Sequence, residues 1–414
     1  MSTDVPLPSH LSVGALAWNS VLAAGRAIAG GDGQAPDPIR VAAAYRSDRH
    51  LLIDGAAPEV WASLSGFWKT ADGWVRTHGN YPHHARALLN GLALPSESTA
   101  EDLRSRLENT TTTTAVRSIT TAGGLCVPVR QEDPHQDAAL RQHPLVAIER
   151  IGDAAPRPLP LGTVTRPLNG VRVLDLTRVI AGPVATRTLA FAGAHVLRID
   201  PPQRREFTWQ HLDTGHGKRT ALLDIAAEPA RFEQLASEAD VVVLGYRPDG
   251  LRRLGLSPHQ LAARHPHLVI AQLSAWPGDN SPRGFDSLVQ AESGIAWIES
   301  PDGGQTPGAL PAQALDHSAG YLLAAGIATA LRRRATDGGT WHVRTSLRRV
   351  AAELLGMPRH ARPSDAGAPP TAPDMQVFHV GDHQVETVRP AVTWADAPQE
   401  YAAPHSWGSD APEW

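Results

Sequence analysis

Four short aliphatic runs recur in the second half of the chain, each set apart from the next by segments with helical spacing or by turns. They are "GVRVLDL" (170–176), "AHVLRID" (194–200), "DVVVLGY" (240–246) and "HLVIAQLSAW" (267–276). The intervening "VATRTLAFAG", "RFEQLASEA" and "SPHQLAARH" carry the helical pattern. Strands without a polar alternate face must be covered on both sides, which is the environment of a parallel sheet flanked by helices. Strand–helix–strand repetition of this kind predicts an α/β class: a Rossmann-like doubly wound parallel sheet. Ligands in such sheets sit beyond the carboxyl ends of the strands. The loops after Leu176, Asp200, Gly245 and Ser274 are therefore where a site is expected.

The first half is less regular and predicts a second, smaller α+β domain. "LSVGALAWNSVLAAGRAIAG" reads as a helix closed by glycines and "LSGFWKTADGWVRTHGNY" as a hairpin turning at "ADG". "HHARALLNGLAL" and "AEDLRSRLENTTTTTAVRSITTAG" read as helices. Five parts are expected: a helical segment over 1–45, a small domain over 46–150, a proline-rich linker over 151–167, a large domain over 168–355, and a proline-rich linker and tail over 356–414 with little core. A faint repeat aligns Leu22–Gly25 with Leu323–Gly326 and sets Ala15 against Asp316.

Composition narrows the function. The net charge of −4 carries no global basic field, so neither nucleic acid nor an anionic membrane is an expected partner. No run of about 18 apolar residues and no basic leader is present, and a cytoplasmic setting is expected. The single cysteine, Cys126, reads as a buried structural thiol, and no Cys/His cluster has metal-ligand spacing.

Three stretches carry chemistry. "TGHGKRTALLDI" places glycines before Lys218, one of only two lysines in a chain that otherwise uses arginine. "LGYRPDGLRRLGL" places Tyr246, Arg247, Arg252 and Arg253 just past a strand end, where phosphates are held in such folds. "ALDHSAGYLLAAGIATAL" sets Asp316 at the head of an apolar helix, either as a cap or as a carboxylate against a dry wall. No G-x-G-x-x-G or Walker A motif is present.

Together with "PLNGVRVLDLTRVIAGPVATRTLAFAGAHVLRID" and "RGFDSLVQAESGI", these motifs resemble the family III CoA-transferases in order and spacing from Arg166 to about Leu355. That family includes formyl-CoA and carnitine CoA-transferases and the related α-methylacyl-CoA racemases. The first half resembles the family's small domain and closing segment, out of their usual order. The resemblance implies Asp316 as nucleophile, with an acyl–aspartyl anhydride and an aspartyl-CoA thioester as intermediates. On physical grounds the N–H groups at the start of that helix are expected as oxyanion donors. The resemblance also implies CoA contacts from Ile180, Ala181, His216, Gly217, Lys218, Tyr246, Arg247, Arg253 and Arg283. A basic residue expected directly after the second strand is replaced by Pro201, with Arg204 and Arg205 slightly later. The implied substrates are an acyl-CoA and a carboxylic acid, without a metal, in a homodimer. The racemase branch requires a His–Asp pair where this chain has Phe285–Asp286, which disfavours racemisation. A non-catalytic acyl-CoA binding protein is the other alternative. The first half is expected to close the site of the second.

Overall fold

The computed structural model describes residues 4–31, 33–278, 281–363, 370–371 and 374–414. The aliphatic runs lie side by side in one seven-stranded sheet. Its order is Ala147–Gly152, Thr340–Ser346, Val269–Ser274, Val241–Leu244, Arg172–Leu176, His195–Asp200 and Lys218–Leu222. Every pairing is parallel except that of the first strand, which joins the edge antiparallel. That edge strand comes from the first half, so the expected boundary at residue 150 falls inside it.

Both sheet faces are buried, as the continuous apolar runs require. Val173, Val241, Val243 and Val269 point to one core; Leu174, Leu176, Val242 and Ile270 point to the other. The first core is dominated by the helix Ala314–Asp337, packed against the helices Val13–Ala29 and Ala181–Phe191. Small residues allow this close approach. A Cβ at Gly320 would meet the Ala181 carbonyl at 2.6 Å.

The first half contains the expected hairpin, Gly66–Thr70 with Gly73–Thr77, extended by Cys126–Pro128. The segment expected to be one long helix is two, Ala100–Glu108 and Thr112–Thr121. The threonine run explains the break. Thr111 leaves helical geometry and its hydroxyl accepts the Thr114 N–H, the work of an N-cap.

The tail contributes far more core than its proline content suggested. Met375–Val380 and His383–Val388 form a hairpin to which Leu52–Ile53 adds a third strand. Trp394 is buried against Phe191 at 5.1 Å between centroids, and its indole N–H donates to the Val164 carbonyl. Much of the proline-rich connector before this hairpin lies outside the described residues. Among the described residues no helix is long and apolar enough to cross a membrane.

The small domain docks on the large one within a single chain. The Asp137–Arg348 ion pair, buried and 2.6 Å long, crosses between them, as does the Tyr81 hydroxyl donating to Glu206 at 2.9 Å.

Candidate active site

Strands Arg172–Leu176 and Val241–Leu244 are neighbours, yet the chain continues from them to opposite sides of the sheet. Their following loops diverge, which opens a crevice at this switch point. A cleft of about 570 Å³ lies there. Its floor includes the loop Arg178–Val179–Ile180. Val179 holds φ at +72°, which is strained for a β-branched residue and needs external support. Glu206 gives that support. Its buried carboxylate accepts from the Val179 N–H at 3.2 Å and from the Arg178 guanidinium at 3.1 and 3.3 Å. Burial alone would raise the Glu206 carboxyl, but Arg198 and Arg178 pull it down to about 2, so it stays an anion.

Asp316 stands in the first turn of the Ala314–Asp337 helix, 7% exposed, and lines the same cleft. None of the described residues donates a hydrogen bond to its side chain. Its backbone N–H donates at 2.9 Å to Asp286 Oδ2, a fully buried carboxylate at the start of the helix Asp286–Glu292. Gln290 donates its amide to the other Asp286 oxygen and accepts the Leu310 N–H at 2.9 Å. Two buried carboxyls thus sit together. Burial pushes Asp286 up to about 6, although N–H donors from Asp316, Gln290 and Leu315 oppose this. Burial, followed by the Asp286 charge, holds Asp316 well above the usual carboxylate range. The helix-terminal N–H groups of Leu315 and Asp316, expected to face an oxyanion, are already used by Asp286.

Of the residues singled out from sequence, Ile180, Ala181, Tyr246, Arg247, Arg253, Arg283 and Asp316 line this one cleft. The Tyr246 hydroxyl is buried there without a hydrogen-bond partner among the described residues. Arg247 and Arg253 make no side-chain ion pair or hydrogen bond among the described residues, and neither does Arg204, a lining residue that follows the second strand. Arg204 lies three residues beyond Pro201, and both line the cleft. Burial, then Arg247 and Arg204, lower the Arg283 guanidinium, which places these three cations close together. Three clustered guanidinium groups give this part of the cleft a strongly positive potential.

His216, Gly217 and Lys218, expected as CoA contacts, do not line this cleft; His216 and Gly217 line a separate hollow beside the tail. The tail covers this turn: His216 is buried and stacked on Tyr401 at 4.8 Å, and Gly217 N–H donates to Ala403 O at 3.4 Å. Lys218 points into the core, where Nζ donates to Asp175 Oδ2 at 3.1 Å and to the Pro183 carbonyl at 2.9 Å. Burial lowers the Lys218 ammonium to about 8 against the pull of Asp175. Its charge neutralises a carboxylate in the middle of a core strand.

Sequence reasoning missed four participants. Tyr81, His83 and His84 bring the small domain into the cleft wall. Asp286 was noted only as the partner of Phe285 in a failed His–Asp pair. A buried position for it was signalled by the apolar Leu288, Val289 and Ala291 that follow.

A family model described as CoA-transferase family III matches residues 168–387, more than half of the chain. The chain belongs to that family. The probable fatty acyl-CoA transferase Rv3272 of Mycobacterium tuberculosis is 32% identical over 239 residues, covering 52% of this chain and 60% of that protein. The acetyl-CoA:oxalate CoA-transferase of Acetobacter aceti is 31% identical over 200 residues, covering 44% of this chain and 51% of its own length. The crystal structure of Rv3272 aligns with a TM-score of 0.43 and 33% identity, over 46% of this chain and 56% of that one. The chain therefore spans 60% or less of the length of these relatives.

Proposed function

We propose that this chain moves CoA between an acyl-CoA thioester and a carboxylic acid, with Asp316 as the covalent carrier. The observation that carries the reading is a buried Asp316 carboxylate, unengaged by any described donor, opening into a cleft that also holds unpaired Arg204, Arg247 and Arg253. The arginines suit the phosphates of CoA, and the dry end suits an anhydride that water would destroy. A carboxylate kept poorly solvated is also a stronger nucleophile than one in water.

The sequence of bonds is balanced. An Asp316 oxygen attacks the thioester carbonyl; the C–S bond breaks, and CoA leaves as its thiolate with Asp316 acylated as a mixed anhydride. The thiolate then attacks the aspartyl carbonyl, releasing the first acid as its carboxylate and leaving an aspartyl-CoA thioester. The second acid's carboxylate attacks that thioester, and the thiolate returns to its acyl carbon, regenerating the Asp316 carboxylate. No proton is taken up or lost overall, so no general acid is required. Racemisation is disfavoured because Phe285 occupies the position a proton shuttle would need. The family resemblance also supports a homodimer in a cytoplasmic setting.

The test measures exchange of CoA between acetyl-CoA and a panel of acids. Asp316→Asn is expected to lose exchange by ~10³-fold or more while still binding CoA. Exchange retained by that variant overturns the reading.

A further inference from the structure

Resting on the transferase reading, we propose that the acid accepted here is a monocarboxylic acid with an apolar aliphatic or aryl body, and that Phe285 selects it. Phe285 directly precedes Asp286, the residue that holds the Asp316 backbone, and its ring lines the same cleft as Asp316. The ring is fixed from behind. His78 of the small domain stacks on it at 3.9 Å with planes 3° apart, and His84 meets it edge-on at 6.1 Å. Burial pushes both imidazoles down to about 3, so this backing is neutral. Val179, Ile180 and Leu347 complete an apolar lining.

The positive charges of the cleft are otherwise committed. Glu206 and the Arg205 carbonyl hold Arg178, while Arg283, which donates to the Gly123 carbonyl in the small domain at 3.3 Å, belongs with Arg204 and Arg247 to the cation cluster. Arg204 and Arg247 stand on the loops that follow His195–Asp200 and Val241–Leu244, Arg253 ends the short helix Pro248–Arg253 beyond the latter, and in the transferase reading these serve the phosphates. Among the described residues, no lysine or arginine forms an ion pair with Asp316 or Asp286, whose shared contacts are the Asp316 N–H and the Gln290 amide on Asp286. A second carboxylate on the acyl group would therefore be desolvated beside two acids with nothing to pair it, a strongly unfavourable arrangement. An alkyl or aryl body instead meets a preformed apolar wall.

The test titrates hexanoyl-CoA, phenylacetyl-CoA and succinyl-CoA into the full chain by calorimetry. The three free acids are then compared as acceptors from acetyl-CoA. The apolar esters are expected to bind about tenfold or more tighter than succinyl-CoA, with a matching ratio in kcat/KM. Phe285→Arg, which places a cation on the wall, should narrow that ratio about tenfold or more, whereas Phe285→Leu should keep it. Succinyl-CoA binding as tightly as the others, or a ratio unmoved in a Phe285→Arg variant with native circular dichroism, overturns the proposal. If Phe285→Arg does not fold, the wild-type ratio and Phe285→Leu decide. The two readings fail separately: the binding preference without turnover of any acid removes the transferase reading and leaves the acyl class standing. Failure of all three esters to bind removes both.

Discussion

Asp286 is the residue whose replacement tests the site's electrostatics most cleanly. Asparagine has the same shape and its Oδ1 accepts the Asp316 N–H, but its Nδ2 replaces the oxygen that accepts from Gln290, so a pH-independent hydrogen-bond loss accompanies the loss of charge. A carboxyl held at about 6 in the fold and at 3.8 in the unfolded chain releases its proton first when unfolded. Between those values the unfolded state binds fewer protons, so wild-type stability falls as pH rises from 4 to 6 and levels off above. At about 1.4 kcal/mol per pH unit, the loss from Asp286 is about 3 kcal/mol. Asp316, also raised, adds to it in the same direction. Asp286→Asn removes its own share and relieves Asp316 of a neighbouring charge. Urea unfolding at pH 4 and pH 7.5 should show the variant gaining on wild type by about 3 kcal/mol across that interval, with equal m-values. The acid limb of the transfer rate should also move to lower pH, because Asp316 ionises more readily. A stability gap independent of pH, or one that moves against the variant, would refute the coupled-pair account.

Two further expectations separate the ligand cations from the structural one. Arg247→Ala and Arg204→Ala should each weaken CoA binding by ~1–3 kcal/mol, more at low salt than at high, as calorimetry at two ionic strengths would show. Lys218→Ala should instead strand Asp175 in the core and lower stability by ~3–5 kcal/mol in chemical unfolding. A folded Lys218→Ala variant with intact stability but lost CoA affinity would restore the role read from sequence.

The parallel sheet was legible because its strands are buried on both faces and so carry unbroken aliphatic runs; Val241–Leu244 is four such residues in a row. The cleft position was legible as the loops beyond the carboxyl ends of the strands, after Leu176, Asp200, Gly245 and Ser274, although which two strands flank the switch point was not. What was not legible depends on which way a side chain points. "GHGK" reads as an anion-binding turn, but Lys218 is the first residue of a strand and projects inward to Asp175. The clue lay elsewhere, in a lone carboxylate within "RVLDL", which demands a buried cation. The tail was misjudged because its prolines suggested a linker. Yet "MQVFHV" and "HQVETV" alternate as half-buried strands do, and Trp394 fills the core beyond them. Asp286 and the small-domain aromatics meet Asp316 only through tertiary contact, and no local spacing announces that.

The central claim is that Asp316 carries the acyl group and then CoA. Hydroxylamine added during turnover with acyl-CoA attacks an activated carboxyl and leaves a hydroxamate that peptide mass spectrometry locates. A hydroxamate on Asp316 that requires acyl-CoA and is absent from Asp316→Asn is the predicted result. Turnover that continues under hydroxylamine with Asp316 unmodified, or with the label on another carboxylate, would contradict it.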